Sequence, residues 1–151
     1  AGISSFESAF GMSNIGFGTQ GCAGRIAIGA NKSPKINTND FAITFTHAPH
    51  SVLGLGYLGD PDQSGSDPFS LGVTMNVDLL SFTLPPYFFD IFTDIAGMGW
   101  APIPIPNQST LVGFVVYVQG LFVENQPSGW ACTASSLHVV TSEAVKLIVQ
   151  Q

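Results

Sequence analysis

Residues able to do chemistry are thinly spread along this chain, and one cluster stands apart. Asp60-Pro61-Asp62-Gln63-Ser64-Gly65-Ser66-Asp67 puts oxygen ligands at alternate positions with a glycine at the sixth. Asp60, Asp62, Ser64 and Asp67 could converge on one hard cation, as in the first half of a calcium loop, where the glycine permits a sharp turn. The twelfth position is Leu71, so the bidentate Glu of such a loop is missing, and no flanking helices are expected. A polar turn between strands is the competing reading. His47-Ala48-Pro49-His50 carries two imidazoles, but Pro49 makes the segment a turn, and the spacing to His138 offers no third ligand. Asp90 and Asp94 are paired carboxylates that nothing marks as acid and base. There is no G-x-S-x-G elbow, no phosphate loop with its Lys and no H-E-x-x-H. The expectation is therefore a protein that is not an enzyme and has no cofactor, unless calcium.

The binding chemistry on offer is aromatic. The chain holds 12 Phe, 3 Tyr and 2 Trp. Trp100 and Trp130 lie in Gly-rich stretches that read as loops, and with Tyr57 they could stack on sugar rings, as in a secreted carbohydrate-binding module. The same residues could equally fill a core edge or a subunit contact, and the excess of Phe favours packing. Asn31-Lys32-Ser33 and Asn107-Gln108-Ser109 match the N-glycosylation pattern, although Pro34 makes the first a poor acceptor.

Charge narrows the field. Only four residues are Lys or Arg and ten are Asp or Glu, a net charge of −6, while 45% of the chain is apolar. Nucleic acid and anionic membranes both need clustered cations, so neither is an expected partner. No stretch is long enough for a membrane span. A surface so short of charge is covered by copies of itself, by glycans or by another partner. Cys22 and Cys132 form an even pair near the two ends. With so little Lys and so much Gly, Ser, Thr and Asn, they suggest an exported protein. If bonded, they close a loop of roughly 110 residues, worth about 4–5 kcal/mol in the chain-entropy model; two buried thiols are the alternative. Ala1 is a small residue of the kind left when a leader is cut away, so an extracellular or cell-surface protein is expected.

The elements that must position these residues read as strands. The 17 Gly and 10 Pro come at short intervals, which predicts many short strands and turns. Phe41, Ile43 and Phe45 alternate with smaller or polar residues, as do Leu53, Leu55 and Tyr57, and Val73, Met75 and Val77. Leu111–Val118 and Ala144–Val149 are apolar on both faces, so each is central or covered by another subunit. Ile3, Phe6 and Phe10 have helical spacing, and residues 85–96 read as a turn or short helix. The fold class expected is all-β: one domain over 1–151, an antiparallel sandwich of roughly eight to ten strands, with a jelly-roll-like arrangement as one form of it.

Gly16-Phe17-Gly18-Thr19-Gln20-Gly21-Cys22, Leu53–Gly59, Pro104-Ile105-Pro106-Asn107 through Gly113, Tyr117-Val118-Gln119-Gly120 and Ser135–Val139 follow one another in an order that resembles small secreted Gly-rich proteins of planctomycetes and similar bacteria. The resemblance covers residues 16–140 and implies a secreted β-sandwich with no assigned activity. That family places its second Cys in mid-chain, whereas here the partner would be Cys132. The chain also runs beyond the resemblance at both ends, with an N-terminal arm (1–15) and a C-terminal strand or arm (141–151). Such apolar arms suit exchange between subunits, by adding a strand to a neighbour's edge. The expected function is a secreted structural protein, a homopolymer built as a filament or surface assembly. Ile3, Phe6, Phe10, Phe114, Val116, Val145, Leu147 and Val149 are its contact residues.

Overall fold

The computed structural model describes residues 11–15, 18–19, 24–61, 73–78, 87–123 and 139–151. They form nine strands: β1 (Met12–Asn14), β2 (Ala27–Ala30), β3 (Ala42–Thr46), β4 (Leu53–Gly59), β5 (Tyr87–Thr93), β6 (Gly99–Pro102), β7 (Val115–Val123), β8 (Val139–Thr141) and β9 (Val145–Ile148). Every strand pairing is antiparallel, in the order β1-β9-β7-β4-β5-β6-β3-β2, with β8 also on β7. The all-β antiparallel class is the one the sequence implies. The strands share one continuous sheet that curls until its margins meet. Ile26 bridges Ser142 and Lys35 bridges Gln150, with Glu143 N donating to Ile26 O at 2.9 Å and Gln150 N to Pro34 O at 2.7 Å. Walls facing each other across one core thus belong to a single, nearly closed barrel.

The inner face carries Ile43 and Phe45 of β3, Ile91 of β5, Ala101 of β6, Val116, Val118 and Phe122 of β7, and Val145 and Leu147 of β9. Phe45 and Phe122 meet edge to face, with centroids 5.4 Å apart. Large rings in a narrow barrel need small residues opposite them. On β4 the glycines supply the space: a Cβ on Gly54 would lie 2.6 Å from the Phe122 ring, and one on Gly56 would lie 2.1 Å from the Phe89 ring. Leu53 and Leu55 accordingly point outward, the reverse of what the L-G-L-G alternation suggests.

Residues 73–78 are extended but lie over the sheet's outer face, touching it in a ladder sense only through the Pro61–Val77 bridge. Val73, Met75 and Val77 form a second, smaller core there with Tyr57 and Val139, flanked by Tyr117 and Leu121. The second apolar face of β7 is thereby covered by the chain itself over its middle. The remaining differences are local. Residues 87–93, read as a turn or helix, form a central strand paired on both sides, because Tyr, Phe and Ile suit a pleated surface flanked by β4 and β6. The run from Leu111 is not strand throughout: Ser109–Leu111 make a 3-10 turn, and Gly113 takes φ +84° before β7 begins.

Candidate functional site

Three places bring polar or exposed apolar groups together. The first is a buried polar hub under residues 73–78. Gln119 of β7 is 0% exposed, and its Oε1 accepts from Asn76 N (2.8 Å) and Tyr57 OH (3.0 Å). Its Nε2 donates to Thr74 O (3.0 Å) and Ser142 O (2.8 Å). Backbone donors on one side and acceptors on the other fix the amide's orientation. Thr141 Oγ1 adds a bond to Thr74 O (2.9 Å), and Thr74 N donates to Thr19 Oγ1 (2.8 Å). Burial pushes the Tyr57 phenol well above the usual tyrosine range. With every position of the Gln119 amide satisfied, the hub clamps residues 73–78 to the sheet. Tyr57, 1% exposed, therefore cannot stack on a sugar, which corrects its place in the aromatic set.

The second place is the β5–β6 hairpin and the outer face beside it. Leu53, Phe92 and Trp100 sit in one cross-strand row, since Leu53 pairs with Phe92 and Phe92 with Trp100. All three are exposed, Phe92 by 67%. Trp100 belongs to β6 and not to a loop. At the tip, Ile95 is 85% exposed and Met98 is exposed beside it. The turn is nonetheless rigidly held. Asp94 Oδ1 accepts from Ala96 N (2.9 Å) and Met98 N (3.0 Å), Gly97 N donates to Asp94 O, and Gly97 takes φ +77°. Ala48 N donates to Gly97 O and Ser51 N to Asp94 O, so the 48–51 loop braces it. The backbone N–H groups of Met98, then of Ala96, hold the Asp94 carboxyl below its usual range.

The third place is the opposite end of the barrel. A cavity of 170 Å³ opens there, walled by Phe114, Val116, Leu147 and Val149 with Phe41 and Leu58 among others, all apolar. Four of the expected contact residues thus converge on one feature. Val145, Leu147 and Val149 are buried in the chain's own core, and β9 lies between β1 and β7. Residues 145–148 thus form the strand that the strand-or-arm expectation allows, paired within the chain's own barrel. Val116 is likewise an inner-wall residue, while Phe114 is exposed at the rim.

The other expected residues fall as follows. Ile3, Phe6, Phe10, Cys22, Asp62, Ser64, Asp67, Trp130, Cys132 and His138 lie outside the described residues. Asp60 accepts a bond from Asp78 N through its carbonyl (2.7 Å). Among the described residues no three His, Cys, Asp or Glu side chains group as metal ligands. The Asn31 side chain is engaged at both ends, donating to Asp40 O (2.7 Å) and accepting from Ala42 N (2.9 Å), and so braces the β2–β3 hairpin. Asn107 is exposed. The mouth and the buried amide escaped sequence reading. Gln119 had one signal, a polar residue in the middle of an apolar strand. Among the described residues no helix is long and apolar enough to cross a membrane. No family model, curated protein or solved structure matches this chain.

Proposed function

We propose that this chain is a secreted structural protein, a subunit of an extracellular filament or comparable surface assembly made of copies of itself. The observation that carries the reading is where the exposed apolar surface lies. Among the described residues it includes two unlike features at opposite ends of one barrel, the Ile95–Met98 turn and the apolar hole, beside an outer sheet face that also exposes Leu55, Tyr87 and Phe88, on a chain with only 9% charged residues. Apolar surface that serves no purpose within the subunit marks an interaction site. Two unlike sites on one subunit make heterologous contacts, which extend into filaments unless the rotation closes a ring. The proposal assigns no catalytic role, and it rests on barrel-to-barrel contact instead of strand donation by the C terminus. The test is sedimentation and negative-stain microscopy of the full chain. Ordered polymer is the expected result, and a compact monomer at high concentration overturns it.

A second reading has its own observation. The outward row of Leu53, Phe92 and Trp100 offers an exposed aromatic platform of the kind that stacks on sugar faces. A carbohydrate-binding module would be retained on an insoluble polysaccharide as a monomer, and Trp100→Ala would release it.

A further inference from the structure

The two apolar ends differ in shape, one protruding and one concave. One end is a knob: Ile95 and Met98 on a turn already fixed by the Asp94 carboxylate and the 48–51 loop. The turn needs no ordering to bind, so little entropy opposes its insertion elsewhere. The other end is a hole of 170 Å³. Pro34, Pro104 and Pro106 stiffen its rim. A dry apolar cavity of about 150 Å³ takes a benzene-sized group, so a single Ile or Met side chain is the right class of occupant. Knob and hole lie at opposite ends of β4, near Leu53 and Leu58 respectively, about 17 Å apart at strand rise.

Charge points the same way. Asp94 stands at the base of the knob and is exposed. At the hole, Lys35 stands exposed next to Pro34 of the rim, while the nearby Lys32 charge is balanced by Asp40. Asp94 of one copy placed against Lys35 of the next would favour this register over hole-to-hole or knob-to-knob contact.

We propose that the hole is a docking site for a second copy of this chain, and that its occupant is the Ile95–Met98 hairpin tip of that copy. This rests on the assembly reading above and gives it a direction. Each subunit donates at one end and accepts at the other, so the polymer is polar.

The experiment uses two full-length variants, Ile95→Asp to spoil the knob and Phe114→Asp to spoil the hole. Both positions are exposed, so the fold should survive. Each variant alone should raise the critical concentration for polymerisation by about 30-fold or more, the loss expected for a central apolar anchor. Mixed, they retain one intact pair, the knob of Phe114→Asp in the hole of Ile95→Asp. The mixture should yield a capped 1:1 dimer that grows no further. Variants that polymerise like the parent, or a mixture that stays monomeric while each variant gives a native melting curve, overturn the knob-and-hole contact. A misfolded variant is replaced by Ile95→Lys or Phe114→Lys at the same sites, with the same mixing outcome required. If the parent chain itself does not polymerise, the assembly reading fails first, so the two failures are distinguishable.

Discussion

Replacing Gln119 by Met tests the buried hub with little change of side-chain volume. Four hydrogen bonds disappear, but they do not count equally. Tyr57 OH lies 3.4 Å from Met75 Sδ and can turn to it. Thr74 O still accepts from Thr141 Oγ1 at 2.9 Å. Asn76 N and Ser142 O lose the amide outright. A buried polar group left unsatisfied costs about 1–3 kcal/mol, so Gln119→Met should cost about 2–6 kcal/mol, with about 4 as the central figure. That is a large part of the ~5–15 kcal/mol by which a domain is stable. In a chain of this length it corresponds to a fall in Tm of about 8–16 °C. Denaturant and thermal melts followed by circular dichroism measure both quantities. Tyr57→Phe, which keeps the Asn76 contact, should cost about 1 kcal/mol, and the double variant should cost less than the sum because both singles remove one shared bond. A Gln119→Met protein within 1 kcal/mol of the parent would refute the reasoning, since it would mean that residues 73–78 are not held by this amide.

Other outcomes follow from particular contacts. Gly56→Ala and Gly120→Ala place a methyl on the rings of Phe89 and Phe45, and each should cost about 1–3 kcal/mol in melts, whereas Gly29→Ala, whose Cβ meets only Thr44 Oγ1 at 3.4 Å, should be tolerated. The Asp94 carboxyl is depressed below the unperturbed 3.8, so its stabilising effect is complete above that value and is lost as pH falls through the lower folded value. The Tm gap between the parent and Asp94→Asn should therefore narrow between about pH 5 and about pH 2; identical pH profiles would dismiss the turn's dependence on charge. Mass spectrometry of an unreduced digest should find a Cys22–Cys132 linked peptide, and free thiols in native material would show that the pair is not bonded.

Much of the architecture was legible because alternation is a local signal. Phe41, Ile43 and Phe45 face the core as their spacing requires, and Val73, Met75 and Val77 share one buried side. The facing of β4 was not legible, because whether glycine or leucine points inward depends on rings supplied by β5 and β7, which only the register brings alongside. Residues 73–78 show the same limit: period-2 apolar residues look alike in a ladder and laid across a sheet. The candidate site was legible only in composition. Scarce charge announced that apolar surface would be left over, and Phe114, Val116, Leu147 and Val149 were marked for contact. Their convergence on one mouth comes from β7 and β9 pairing Val116 with Leu147. The opposing knob left no trace, since Asp94-Ile95-Ala96-Gly97-Met98 is an ordinary turn until its exposure is seen.

The position of β9 has a consequence for timing. Asn14 and Glu143, hydrogen-bonded across the β1–β9 margin, are 129 positions apart. β7 is lined on one side by β8 and β9 together, and the barrel's margins are joined through Ser142 and Gln150. A growing chain that has emerged only as far as Val123 therefore holds most of its strands but cannot shut its wall. Such non-local pairing makes closure late and slow, on the order of milliseconds to seconds. Until then neither the hole, which needs Leu147 and Val149, nor the seat for residues 73–78, which needs Thr141 and Ser142, exists. In the proposed assembly the accepting end would therefore form only after β9 is in place, so an unfinished chain could offer its hairpin to a neighbour but would have no hole in which to receive one.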